Sequence, residues 1–399
     1  MQKLLSRQEI YDLFKEKYSQ YSPDFELWIK AGQVEKLNRL VVEKNAVILK
    51  HNYMSWDLQC DEVLGIRGDS LELSRKATET TAQIILFLGV KFMAETAKVL
   101  NPQKTVLIPS LRAGCSLASS ITGADVRKLK AMFPGVPVVA YVNTDADTKS
   151  EVDVCCASGN AAKVVKWAME EWKTNKVIFL PDKFLAQNVA RDMGADIFFP
   201  NMALSNEQNT RHCEALYSEC RSQTRNGFDE AGVKVKSSDF NRNTIHDAAI
   251  SLHDQSNPLF IAWPGKCEVH EKFTPQDVTE LRQDFPGVYI MAHPECPPEV
   301  VEKVDFAGST GKIIKNIERV DVQDKQVAFF TECAMVEMLA AKHKNVLQIC
   351  SIQKRCPHMA QNNLETVIAA LENQQFEITV PEELRLKAEI PIRRMISIK

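Results

Sequence analysis

Ala46-Val47-Ile48-Leu49-Lys50-His51-Asn52-Tyr53 is a strand-like run ending in two reactive side chains, His51 and Tyr53, placed two residues apart. Alternate side chains of a strand leave on the same face, so such a pair works from one side. Two later runs end the same way. Val138-Val139-Ala140 leads to Tyr141-x-Asn143, and Val288-Tyr289-Ile290-Met291 leads to His293-x-Glu295. In open parallel sheets ligands gather beyond the carboxyl ends of the strands, where these pairs sit.

Each pair is followed at a distance by a cysteine in a loop after another apolar run: Cys115 in Leu111-Arg112-Ala113-Gly114-Cys115, Cys267 in Trp263-Pro264-Gly265-Lys266-Cys267, and Cys356 in Lys354-Arg355-Cys356-Pro357. The separations from His51, Tyr141 and His293 are 64, 126 and 63 residues. Without the polar 52-residue stretch 206–257, which reads as a surface insertion, the middle value becomes 74. One plan is used three times.

The stretches between support a βαβαβ unit. Runs 83–90, 105–109, 136–144, 176–181, 258–263, 287–293, 326–331 and 345–350 read as strands, alternating with helical segments. Short connections between alternating strands and helices are the mark of a parallel sheet. Ser6 and Glu9 form a capping box ahead of Ile10, Leu13, Phe14 and Tyr18. Ser70, Ser158 and Ser309-Thr310 stand where helices begin, positions suited to capping or to binding an anion. In the tail, Pro381-Glu382-Glu383-Leu384 starts a short helix that Pro391 is expected to stop. The resulting plan is a helical segment 1–40, α/β domains at 41–130, 131–283 and 284–375, and a tail at 376–399.

A net charge of −3 with scattered basic residues recommends neither nucleic acid nor an anionic membrane as partner. No apolar stretch reaches the length of a membrane span, and residues 1–16 resemble neither a secretory signal nor a transit peptide. Eleven cysteines with no secretion signal point to reduced thiols in a cytoplasmic protein. Cys60, Cys155, Cys156 and Cys333 read as core, and Cys213 and Cys220 belong to the insertion with His212, His246 and His253. Cys296 and Cys350 stand near enough to the chosen residues to displace one of them as a ligand.

Cys115, Cys267 and Cys356 lack the Cys-x-x-Cys spacing of a zinc knuckle. Three like units packed around an axis would bring them together, and three thiolates suit an iron–sulfur cube with one iron open to substrate. The alternative is that the cysteines are packing residues. Tyr53, Tyr141, His293 and Glu295, with His270 near Cys267, are the candidates for proton transfer.

The sequence His51-Asn52-Tyr53, Gly68-Asp69-Ser70-Leu71-Glu72-Leu73-Ser74-Arg75, Ala113-Gly114-Cys115-Ser116, Tyr141-Val142-Asn143-Thr144, Trp263-Pro264-Gly265-Lys266-Cys267-Glu268-Val269-His270, His293-Pro294-Glu295-Cys296-Pro297, Gly308-Ser309-Thr310-Gly311, Thr331-Glu332 and Cys356-Pro357-His358-Met359 resembles the quinolinate synthase family. The resemblance runs from about residue 40 to the C-terminus, apart from the insertion. It implies three pseudo-symmetric, three-layer α/β/α domains around one 4Fe-4S cluster per chain, held by Cys115, Cys267 and Cys356. It also implies condensation of iminoaspartate with dihydroxyacetone phosphate, losing phosphate and water to give quinolinate, and a functional link to the enzyme that supplies iminoaspartate. His51, Ser70, Tyr141, Asn143, Ser158, His293, Glu295, Ser309 and Thr310 would then line the substrate site, with Tyr53, Tyr141, His270, His293 and Glu295 as catalytic groups. Asn52 departs from the family's frequent tyrosine at that position. A non-catalytic iron–sulfur carrier or metabolite sensor, and a zinc hydrolase, are the competing expectations.

Overall fold

The apolar runs do form parallel sheets. The computed structural model describes residues 4–200, 202, 257–350 and 352–398. Nearly all of the insertion, with its histidines and cysteines, lies outside the described residues. The first sheet contains β1 (Ala46–His51), β2 (Ile66–Gly68), β3 (Ile84–Leu88) and β4 (Thr105–Leu107) in the order β2-β1-β3-β4. The second contains β5 (Val138–Tyr141), β6 (Val154–Cys156), β7 (Lys176–Leu180), β8 (Asp196–Phe198) and β9 (Leu259–Ala262), ordered β6-β5-β7-β9-β8. The third contains β10 (Tyr289–Ala292), β11 (Phe306–Ala307) and β12 (Val327–Phe330), ordered β11-β10-β12. Among the described strands every pairing is parallel, and in each sheet the first strand of the unit lies between the second and third.

The central strands are buried on both faces, as apolar runs without alternation require. Ile290 and Ala292 of β10 face one core with Val278 and Leu281, while Met291 faces another with Ile313 and Met335. The first two sheets share a continuous core.

A second regularity follows each cysteine. The carbonyls of Cys115, Cys267 and Cys356 accept from Ser119, Glu271 and Ala360, four residues on, at 3.0, 3.0 and 3.1 Å. A single 3-10 turn follows each, at Ala118–Ser120, His270–Lys272 and Met359–Gln361. Helices Gly123–Met132, Pro275–Asp284 and Leu364–Asn373 then start with N-caps Thr122, Thr274 and Asn363, each seven residues past its cysteine. These helices pack forward around a ring. The first bonds into the second unit through Gly123 N and Asp147 Oδ2 (2.8 Å), and the second joins the core of the third sheet. The third packs on β3 and on helix Asp24–Glu43, with Asn362 just before it donating to Gly89 O at 3.0 Å. The threefold plan therefore closes on itself, and the strand ends and cysteine loops face its centre.

Several expectations need correction. Residues 345–350 form only an isolated bridge, Val327 to Val346, because the backbone turns away after one pair. Pro391 does not stop the last helix, which runs Glu382–Ser397; buried Ala388, Ile392 and Met395 hold it through the proline. Cys333 and Cys350 are not free thiols. They are joined in a disulfide, their Cα atoms 5.7 Å apart. That pairing also removes Cys350 as a rival ligand to Cys356. Among the described residues no helix is long and apolar enough to cross a membrane.

Candidate active site

The strand ends deliver their pairs to one cavity of about 720 Å³, including its mouth. His51, Tyr53, Ser70, Cys115, Tyr141, Asn143, Ser158, Cys267, His270, His293, Glu295, Thr310 and Cys356 all line it. Ser309 lies behind the wall, its hydroxyl capping helix Thr310–Ile317 at Lys312 N and meeting Asp69 Oδ2, both at 3.4 Å.

Two of the strand ends share a turn. Tyr53 N donates to His51 Nδ1 at 3.3 Å, and Glu295 N to His293 Nδ1 at 3.4 Å. In a neutral ring whose Nδ1 accepts, Nε2 carries the proton, which makes His51 a donor at Nε2; His293 Nδ1 also lies 3.5 Å from Glu295 Oε2. His293 Nε2 meets Ser158 Oγ at 3.3 Å. Burial keeps His51 neutral, lowering its pKa to about 4.

Glu295 is the electrostatic centre. It is 3% exposed, its Oε2 lies 2.7 Å from His270 Nδ1, and Asn143 Nδ2 donates to its Oε1 at 3.4 Å. Burial alone would raise its pKa, but the imidazoles of His293 and His270 outweigh that and hold it well below the ordinary carboxyl range. Burial, reinforced by the Glu295 charge, holds the Tyr53 and Tyr141 hydroxyls well above the usual phenol range. Both are donors at neutral pH. Tyr53 OH lies 2.8 Å from Thr331 Oγ1, and His270 Nε2 lies 3.3 Å from the same hydroxyl.

The three cysteine loops interlock through the residues beside the thiols. Glu268 N donates to Ser116 Oγ at 3.4 Å, and His358 Nε2 lies 3.0 Å from Glu268 Oε1. The thiols of Cys115, Cys267 and Cys356 are free and partly open to the cavity. Burial raises all three, Cys115 to about 12, Cys356 to about 11 and Cys267 well above the usual thiol range; neighbouring thiolates add to the rise of Cys115 and Cys267. Burial raises Cys60 and Cys155 as well, so the rise does not mark a metal site; what fits a thiolate-bound metal group is that three free thiols line one cavity. Cys267, His270 and Glu295 also bring one donor atom each within 4.8 Å of one another, a set that could hold a metal ion.

Sequence reasoning gave no role to several residues in or beside the wall. Asp69, not Ser70, is the N-cap of helix Ser70–Glu79, accepting from Leu71 N and Glu72 N at 3.1 and 3.0 Å. It uses two of the amides that an anion at Ser70 would need. Asn52 Nδ2 donates to Thr310 Oγ1 at 2.9 Å, so the departure from the frequent tyrosine ties the first unit to the third. Thr331 and Glu332 follow β12 as Gly89-Val90 follow β3, and that strand-end position was the signal available for them.

The family described as quinolinate synthetase A protein matches residues 35–397. The chain belongs to the quinolinate synthetase A family. A quinolinate synthase of Caulobacter vibrioides is 41% identical over 383 residues, covering 96% of this chain and 86% of its own. Quinolinate synthase 2 of Mesorhizobium japonicum is 39% identical over 371 residues, with 92% of each chain covered. A quinolinate synthase of Sinorhizobium fredii is 38% identical over 387 residues, 96% of this chain and 87% of its own. Membership of the quinolinate synthetase A family favours a synthase over an iron–sulfur carrier, a metabolite sensor or a zinc hydrolase.

Proposed function

We propose that this enzyme condenses iminoaspartate with dihydroxyacetone phosphate to form quinolinate, with loss of phosphate and water. The observation that carries the reading is the meeting of three distant thiols with His51, Tyr53, Tyr141, His293 and Glu295 around one cavity. Cys115, Cys267 and Cys356 would hold a 4Fe-4S cluster, and an iron without a protein ligand would supply Lewis acidity toward a hydroxyl or carboxylate.

The protein's own groups divide the remaining work. The imidazoles of His51 and His293, together with Ser158, Asn143 and Thr310, offer hydrogen bonds to carboxylate and phosphate oxygens. Ser70 adds a hydroxyl at the cavity wall, and Ser309 supports Thr310 from behind. Glu295, ionised between the imidazoles of His270 and His293, works with them as the group that takes a proton from carbon or nitrogen. Tyr53 and Tyr141, held protonated, donate to the oxygen that leaves. His270 bridges Glu295 and the Thr331 hydroxyl and passes protons between them.

We infer that the enzyme works in the cytoplasm, with a functional link to the enzyme that supplies iminoaspartate. The test is anaerobic reconstitution with iron and sulfide, metal analysis, and incubation with both substrates. Formation of quinolinate by protein with about four irons per chain is expected. A fully loaded protein that forms none would overturn the reading.

A further inference from the structure

Asn188 lies outside the cavity wall, on helix Lys183–Asp192 after β7, and is only 2% exposed. Its Nδ2 donates to Pro294 O at 2.9 Å and to Cys296 O at 3.0 Å, the two carbonyls flanking Glu295. A primary amide has two N–H groups, and these contacts use both. Its buried Oδ1 has no hydrogen-bond partner among the described residues. The side chain is thus buried for what it donates.

The same helix starts against the second cysteine loop. Lys183 N donates to Gly265 O at 2.7 Å, two residues before Cys267, and Asp182 caps the helix at Leu185 N, also at 2.7 Å. One short helix therefore bears at one end on the loop carrying Cys267 and His270, and further along on the turn carrying Glu295. We propose that Asn188 is a positioning residue, which clamps the 293–296 turn so that Glu295 meets His270. Without the clamp two buried carbonyls lose their donor, and within the turn there remain Cys296 N to His293 O at 3.0 Å and the longer Glu295 N to His293 Nδ1 at 3.4 Å, with His293 N and Cys296 Sγ bonded to Phe330 O at its two ends.

The activity arm rests on the proposed function, and a second arm does not. Asn188→Asp keeps the shape and places oxygen against both carbonyls; Asn188→Ala removes the group and serves if the first variant fails to purify. In the cluster-loaded enzyme kcat should fall about 10- to 100-fold with KM nearly unchanged and iron content retained. Added to Glu295→Gln, Asn188→Asp should slow the enzyme no further, because its effect passes through that carboxylate. Asn38→Ala removes another buried amide, bonded to Glu62 O and Leu64 N far from the cavity, and should lower stability without lowering kcat. Independently of turnover, hydrogen exchange in a peptide spanning 293–296 should accelerate in the Asn188 variants while the 265–270 peptide stays as in the wild type. Wild-type kcat with unchanged exchange would overturn the proposal, and so would a full multiplicative loss in the double variant. If the wild type forms no quinolinate while the exchange result holds, the proposed function fails and the clamp stands.

Discussion

The first two cysteine loops and the third are fastened differently. After β3, β7 and β12 a helix begins at Lys91, Lys183 and Cys333. In the first two units the amide of that first residue donates to a carbonyl two residues before the cysteine: Lys91 N to Ala113 O and Lys183 N to Gly265 O, both at 2.7 Å. A main-chain bond is made whatever side chain stands there. In the third unit side chains do the fastening. Glu332 accepts from Cys356 N at 3.1 Å and from Ala334 N at 2.6 Å, and the sulfur of Cys333 is bonded to Cys350. Two loops are thus built to be indifferent to sequence and chemistry, while the third depends on a carboxyl and two thiols.

The largest effect tests what the loops share. Cys115→Ser, Cys267→Ser and Cys356→Ser should each lose bound iron and quinolinate formation together, measured by metal analysis and anaerobic assay. Equal losses would mean that the three thiols are equivalent despite their different fastenings. A Cys356→Ser protein that kept iron while the other two lost it would break that equivalence.

Next comes the disulfide. Opening a bridge that closes a loop of this size costs about 2–4 kcal/mol when the bridge is unstrained. Cys350→Ser should lower the denaturant stability of the protein by that order, and reductant should bring the wild type to the same value while leaving the variant unmoved. A wild type insensitive to reductant would remove the disulfide from the comparison. Glu332→Gln should cost less, about 1–3 kcal/mol, because an amide can still accept from one of the two backbone donors. Its readout is the rate at which a chelator strips iron, faster than in the wild type; an unchanged rate would mean that Glu332 does not hold the third loop.

The shared scaffold was legible because it is written in short-range pattern. His51-x-Tyr53, Tyr141-x-Asn143 and His293-x-Glu295 mark strand ends by alternation alone, and the sheets put them at one cavity. The fastenings of the third loop were not legible. Cys333 and Cys350 are 17 residues apart and pair only because a turn brings them together; the apolar character of 345–350 suggested a strand instead. Asn188 carries no motif, and its partners are carbonyls more than a hundred residues away. Pro391 misled because a local rule about proline was overridden by burial of the residues around it.

The smallest effect asks whether the three units are one design or three resemblances. Thr122 and Thr274 accept from Asp125 N and Asp277 N in capping boxes, and Asn363 accepts from Thr366 N, all seven residues beyond the cysteines. Loss of such a cap costs about 1 kcal/mol. Thr122→Ala, Thr274→Ala and Asn363→Ala should therefore each reduce stability by about that amount, read by denaturant unfolding of otherwise identical proteins. The caps lie beyond the point where the cysteine loops differ, so their costs should be alike even though the fastenings are not. A cap after Cys356 worth nothing, beside two worth the expected amount, would show that the third unit departs from the plan in its helix as well as in its loop.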